Sequence, residues 1–277
     1  MTVENGQKLK SRRKEFEINS IRFRRNTTKW KKEITERTKK ILREAYSKGI
    51  DFAIASGRSQ HSIKKFQQDL GIKIFSICNN GANVYDKDEN LIYSNPMKSE
   101  VVKKVITFLR ENKVNYNGFS HRNLYLDDRE KNPVLTVESG IFNIIELGNS
   151  DNFPEMFKII ARQDEESLRR LKDFVLQQEF APEIDVTITQ PNCMDIVDKN
   201  CSKGNAIEFI SKQFNIPIDE IIAFGDGEND YSMLAAAGHP VVMENGMLSL
   251  KEAFPTRALT NEEEGVAVYL ENILNLK

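Results

Sequence analysis

The run Gly225-Asp226-Gly227-Glu228-Asn229-Asp230 follows the apolar Ile221-Ile222-Ala223-Phe224 and precedes the helix-like Tyr231-Ser232-Met233-Leu234-Ala235-Ala236-Ala237. A short apolar run bounded by turn residues reads as a buried strand, so the cluster stands at a strand's carboxyl end, where open parallel sheets bind ligands. Carboxylates there suit Mg²⁺, which one or two of them hold together with waters and phosphate oxygens. The plainer alternative is an acidic surface turn in which Asp230 only favours the helix dipole.

Working outward, Lys203-Gly204-Asn205 opens a helix that carries Ile207, Ile210 and Phe214 inward and ends before Pro217. Further upstream, Ile34, Thr38, Ile41, Leu42 and Ala45 share one helical face, with Thr35 as a cap and Gly49 after the last turn. That helix feeds a strand over Ile50–Ala55 and the turn Ser56-Gly57-Arg58. A second strand, Ile74–Cys78, runs into Asn79-Asn80-Gly81, and hairpin material follows at Asn83–Asp86 and Leu91–Tyr93. From about Tyr85 to Ile184 short alternating strands and two helical stretches, 101–111 and 165–178, suggest an inserted α+β module. Beyond the acidic cluster, Val241–Met243 reads as a strand, and Leu248–Ala253 and Gly265–Leu274 as closing helices. The expected fold is α/β: a doubly wound, Rossmann-like parallel sheet core over 1–83 and 186–277, with an α+β cap over 84–185.

The 277 residues are 39% hydrophobic, enough for a real core. A net charge of −1 gives the molecule no general attraction for nucleic acid or acidic membranes. Three cysteines without a C-x-x-C and three histidines suggest neither a disulfide framework nor zinc, and a reducing cytoplasm fits. No stretch approaches the ~18 apolar residues of a membrane span.

Ser56, Arg58, Lys203, Asp226, Asn229 and Asp230 each sit just after an expected strand or at a helix start. Together they suit a phosphate: a hydroxyl and backbone N–H groups for its oxygens, Lys203 to neutralise charge, and Asp226 to hold a bridging Mg²⁺. Singly, Ser56 and Asn80 read as turn residues and Lys203 as a solvated cation.

Ala55-Ser56-Gly57-Arg58, Asn79-Asn80-Gly81-Ala82, Ser202-Lys203-Gly204-Asn205-Ala206 and Gly225–Asp230, in that order with an insert before the third, resemble the haloacid dehalogenase (HAD) superfamily of phosphohydrolases, in its Cof-type branch with a cap of the IIB kind. The resemblance runs from about Glu33 to the carboxyl end. It implies a Mg²⁺-dependent phosphatase of small phosphorylated metabolites, such as sugar phosphates or phosphorylated cofactors. Ser56, Gly57, Arg58, Asn80, Lys203 and Asn229 would contact the substrate, Lys203 and Asp230 would assist catalysis, and Asp226 would ligate the metal. Asp230 would be a second ligand or its support.

Family members begin with a strand ending in D-x-D-G-T-L, whose first Asp attacks phosphorus, and this chain has no such motif. Where it belongs stand Ile21-Arg22-Phe23-Arg24-Arg25-Asn26-Thr27-Thr28-Lys29-Trp30, and no carboxylate lies between Glu17 and Glu33. Permitted codons for Arg13 through Lys32, read one nucleotide later, translate as E-K-N-L-K-L-I-V-F-D-L-D-G-T-L-L-N-G-K-K. The single codon of Trp30 must then yield Gly. Residues from about Ser11 to Lys32 are therefore expected to be a frame-shifted reading, aberrant or poorly ordered. The rival is a genuine basic arm: eleven Lys and Arg against two Glu between Lys8 and Lys32, able to bind nucleic acid or to act as a transit peptide. That reading makes the parent a catalytically dead phosphate-binding fold. A phosphosugar mutase, which shares the core, is a third possibility.

Overall fold

The computed structural model describes residues 34–128, 142–148, 150 and 152–275. The frame-shift and basic-arm readings, both before Ile34, lie outside them.

Helix α1 (Glu36–Ser47) starts at Thr35, whose hydroxyl accepts the Thr38 N–H at 3.1 Å, and buries Ile41, Leu42 and Ala45. Gly49, at φ +91°, turns the chain toward β1 (Ala53–Ala55), shorter than the expected Ile50–Ala55. Helix α2 (Gln60–Leu70), which the sequence reading left unassigned, returns it to β2 (Phe75–Cys78), parallel to β1. Strands β3 (Asn83–Tyr85) and β4 (Leu91–Ser94) extend this sheet as an antiparallel hairpin.

The chain then enters the insert. Helix α3 (Ser99–Glu111), β5 (Asn115–Phe119), β6 (Asn123–Leu126), β7 (Asn143–Glu146), β8 (Lys158–Arg162), α4 (Glu165–Val175), β9 (Ile184–Gln190) and β10 (Cys193–Asp198) follow in order. The strands form one sheet in the order β7-β6-β5-β8-β10-β9. Helices α3 and α4 bury Val102, Ile106, Leu109, Leu168 and Val175 against one face of it, together with Ile159 and Met194. Because successive strand residues alternate, Asn117, Ile160, Asp195 and Thr187, paired across the register, lie on the opposite face. The expected limits at 83/84 and 185/186 fall inside β3 and β9. Entry and exit of the insert lie close together, since Asn95 donates to Asp198 at 3.0 Å and Met97 bridges Met156.

Beyond the insert come α5 (Lys203–Phe214), β11 (Ile222–Gly225), α6 (Tyr231–Ala236), β12 (His239–Met243), α7 (Leu248–Ala253), β13 (Arg257–Ala258) and α8 (Gly265–Leu274), with β11, β12 and β13 parallel. Ile54 of β1 and Phe224 of β11 share one apolar cluster with α1, α2 and α8. Ala53, Ala55 and Ala223 share another with α5, α6 and α7. Alternation along both strands thus feeds two cores, one on each face, which makes the layer doubly wound. Phe214, expected to face inward, is 41% exposed: it is the last residue of α5 and meets the core through the Phe75 ring at 4.8 Å. Among the described residues no helix is long and apolar enough to cross a membrane.

Candidate active site

Three of the loops leave the carboxyl ends of the parallel strands β1, β2 and β11, while Lys203 opens α5 where the chain returns from the insert. After β1, the Ser56 carbonyl accepts the Asn80 N–H at 3.0 Å and the Arg58 carbonyl accepts the Asn79 N–H at 2.9 Å. The Ser56–Arg58 and Asn79–Gly81 loops are therefore stitched together. Asn79 and Asn80 take left-handed conformations (φ 50° and 60°), which asparagine tolerates and which are costly enough to mark functional loops. Gly81, at φ +105°, lets this loop touch the start of α5: a Cβ there would meet the Ser202 carbonyl oxygen at 2.1 Å.

Helix α5 begins with Ser202 capping the Asn205 N–H at 3.0 Å, which aims the next side chain, Lys203, into the protein. Lys203 is 1% exposed and donates to Asp230 Oδ1 at 2.5 Å; Asp230 is 0% exposed. The other Asp230 oxygen accepts the Asp226 and Gly227 N–H groups, each at 3.0 Å. Asp230 thus holds both the lysine and the turn after β11. Asp226, 2% exposed, accepts from Asn261 Nδ2 at 3.0 Å. Asn229 donates to Asn80 Oδ1 at 2.9 Å, joining the second and fourth loops.

A cavity of about 500 Å³ opens above these residues, lined by Asn80, Lys203 and Asn229 from the core and by Lys172, Thr187 and Asp195 from the insert. Ser56, Gly57, Arg58 and Asp226 do not line it; they connect to it through Asn80 and Asp230, and Arg58 is exposed. Buried, mutually paired charges beside a hollow that Lys172 and Lys203 help to line suit an anionic ligand.

The residues present fit a Mg²⁺ ion in part. Asp226 is a buried carboxylate at the strand's end, and one carboxylate completed by waters and phosphate oxygens is an ordinary Mg²⁺ site. Asp230 is a poorer ligand, since both its oxygens already accept hydrogen bonds. Among the described residues no three His, Cys, Asp or Glu side chains cluster as a ready-made metal site.

Three participants escaped the sequence reading: Lys158, Asp195 and Asn261. Lys158 Nζ donates to the Gly57 carbonyl at 2.6 Å, and Asp195 accepts from Asn80 Nδ2 at 2.9 Å. Their partners lie 101 and 115 residues away, a separation no local motif signals.

A family model for haloacid dehalogenase-like hydrolases matches residues 27–270, and the chain belongs to that family. The chain is 26% identical over 244 residues to the HMP-PP phosphatase of Yersinia pseudotuberculosis, covering 86% of this chain and 88% of that protein. Among solved structures it resembles a haloacid dehalogenase-like hydrolase from Bacteroides thetaiotaomicron (TM-score 0.78, 24% identity, 94% of this chain and 99% of that one). It also resembles the HAD subclass IIB sugar phosphatase BT4131 (TM-score 0.74, 22% identity, 93% and 98%). These likenesses agree with the Cof-type, subfamily IIB reading and with a Rossmann-like core that carries an inserted cap.

Proposed function

We propose that this protein is built as a Mg²⁺-dependent phosphatase of small phosphorylated metabolites, sugar phosphates or phosphorylated cofactors, working in the cytoplasm. The observation that carries the reading is the buried Lys203–Asp230–Asp226 chain joined through Asn80 and Asn229 to the Ser56 loop. Lys203 neutralises the phosphate charge and Asp230 holds Lys203 in place. Asn229 spends one amide hydrogen on Asn80 and keeps the second for a phosphate oxygen. The Ser56 oxygen accepts the Arg58 N–H at 3.2 Å, so its own hydrogen can go to the ligand. Gly57 lets this loop approach, because a Cβ would lie 2.8 Å from Asn80 Oδ1. Asp226 would hold Mg²⁺, which when bound supplies positive charge to the phosphate oxygens. The core takes in residues up to about 95 and from about 199, with the cap between them, and the cap excludes water when closed over the substrate.

The sequence supplies no nucleophilic Asp at the expected place. Loss of an attacking residue costs on the order of 10⁶ in kcat in a serine protease. The chain as it stands should therefore bind phosphate and turn substrate over negligibly, and p-nitrophenyl phosphate hydrolysis with and without Mg²⁺ tests this. Activity is expected only after a D-x-D-G-T-L segment is restored in place of the 13–32 run; equal activity in both forms refutes this account of the nucleophile.

A further inference from the structure

Lys158 on β8 and Asp195 on β10 are 7% and 4% exposed, nearly as buried as the ion pair of the core. Both stand on the cap sheet's open face, and their nitrogen–oxygen distance is 3.6 Å, too long for a good hydrogen bond. Each makes its shorter contact with the core instead. Lys158 reaches the Gly57 carbonyl at 2.6 Å, and Asp195 takes the Asn80 amide at 2.9 Å, with Thr189 Oγ1 supporting it at 3.3 Å. Charges buried only to neutralise one another would turn toward each other; these turn toward the phosphate loops.

We infer that Lys158 and Asp195 are positioning residues that make the phosphate pocket's geometry conditional on cap closure; the inference rests on the phosphate-site reading above. A trans peptide is planar, and its C=O and following N–H point in opposite directions. Pulling the Gly57 carbonyl toward the cap directs the Arg58 N–H back to the Ser56 hydroxyl oxygen, which frees that hydroxyl's hydrogen for a ligand. Asp195, by taking the Asn80 Nδ2 hydrogen, fixes that amide with Oδ1 toward Asn229. One turn of the Asn80 amide would break both bonds. When the cap lifts, Lys158 and Asp195 leave together, and Ser56, Asn80 and Asn229 lose the contacts that orient them. Linkage then requires that phosphate binding favours closure by the same factor by which closure favours phosphate binding.

The test uses the full chain labelled at Asp173→Cys in the cap and Lys212→Cys in the core, both exposed positions, with energy transfer as the readout and orthophosphate plus Mg²⁺ as the ligand. In Lys158→Met and Asp195→Asn the ligand-free transfer efficiency should fall, and the phosphate dissociation constant should rise about tenfold, as loss of one hydrogen bond to a charged group predicts. Lys158→Arg should restore part of both, and a single cooperative unfolding transition, at whatever midpoint, shows that the variants are folded. Unaltered transfer in both variants overturns the inference. So does weaker phosphate binding without any change in transfer, because the residues would then act on the ligand directly. Should the parent bind no phosphate while the variants still open, the coupling of these residues to closure stands and the phosphate reading fails.

Discussion

Lys203 and Asp230 are shut away from water, so each depends on the other for a counter-charge. A buried pair of this kind adds little net stability when intact, yet removing one partner strands a charge and costs about 3–5 kcal/mol. Lys203→Met should therefore lower the urea-unfolding free energy by about that amount, and Lys203→Met with Asp230→Asn should recover part of it. Two stable, equally folded single variants would contradict the pairing. Cys78 and Cys201 behave differently: burial pushes both thiols well above their ordinary range, which leaves them inert at neutral pH. Asn80 bonds at once to the Ser56 carbonyl, Asp195 and Asn229; from the residues alone it reads as a turn, and only the family resemblance places it at the substrate. The N-N-G string announces left-handed backbone, but not a side chain that bridges Asp195 and Asn229.

Among the elements, α1 and α8 lock the first and last described helices together through Arg37, which donates to Glu264 at 2.8 Å and also pairs with Glu271. Thr35, then Arg37, holds the Glu264 carboxyl below its ordinary value of 4.5. A depressed folded value means that the contribution to stability is complete above pH 4.5 and fades as pH falls through the lower, folded value. Glu264→Gln should be less stable than the parent at pH 7, and the gap should narrow as acid is added; urea unfolding from pH 7 to pH 3 measures it. Apart from α2, the main elements of the core could be read in the sequence because each is local: a capped amphipathic helix, an apolar run, a glycine turn. Helices 248–253 and 265–274 stand where their periodicity puts them. The cap resisted because β8 gathers β5 and β10 from both sides of the chain, and a pairing between Asn117, Ile160 and Asp195 has no signature in any one segment. The second expected limit falls inside β9 for the same reason: β9 and β10 look like the start of the core until their partner β8 is known.

For the whole molecule, three distant loops lining one cavity, with the Ser56 loop bonded to them through Asn79 and Asn80, tie ligand binding to global stability. A ligand that binds only the folded state, present at 100 times its dissociation constant, adds about 2.7 kcal/mol. Orthophosphate with Mg²⁺ should raise the thermal midpoint of this chain, and Asp226→Asn should abolish the Mg²⁺-dependent part of the rise. A midpoint indifferent to both ligands would count against the pocket. The net charge of −1 sets the other global expectation, that any retention on nucleic acid is local and ends when residues 1–32 are removed.

The hydrogen bond between Asn95 and Asp198 pins the two polypeptide crossings of the insert side by side, with Asp198 also accepting the Asn200 N–H at 2.9 Å. The intervening stretch therefore behaves like a cassette plugged into a fixed socket. Exchange for a relative's equivalent at these two points would leave the catalytic platform's own strands and helices in register, so selectivity for a new leaving group could arise by swapping one contiguous piece of gene.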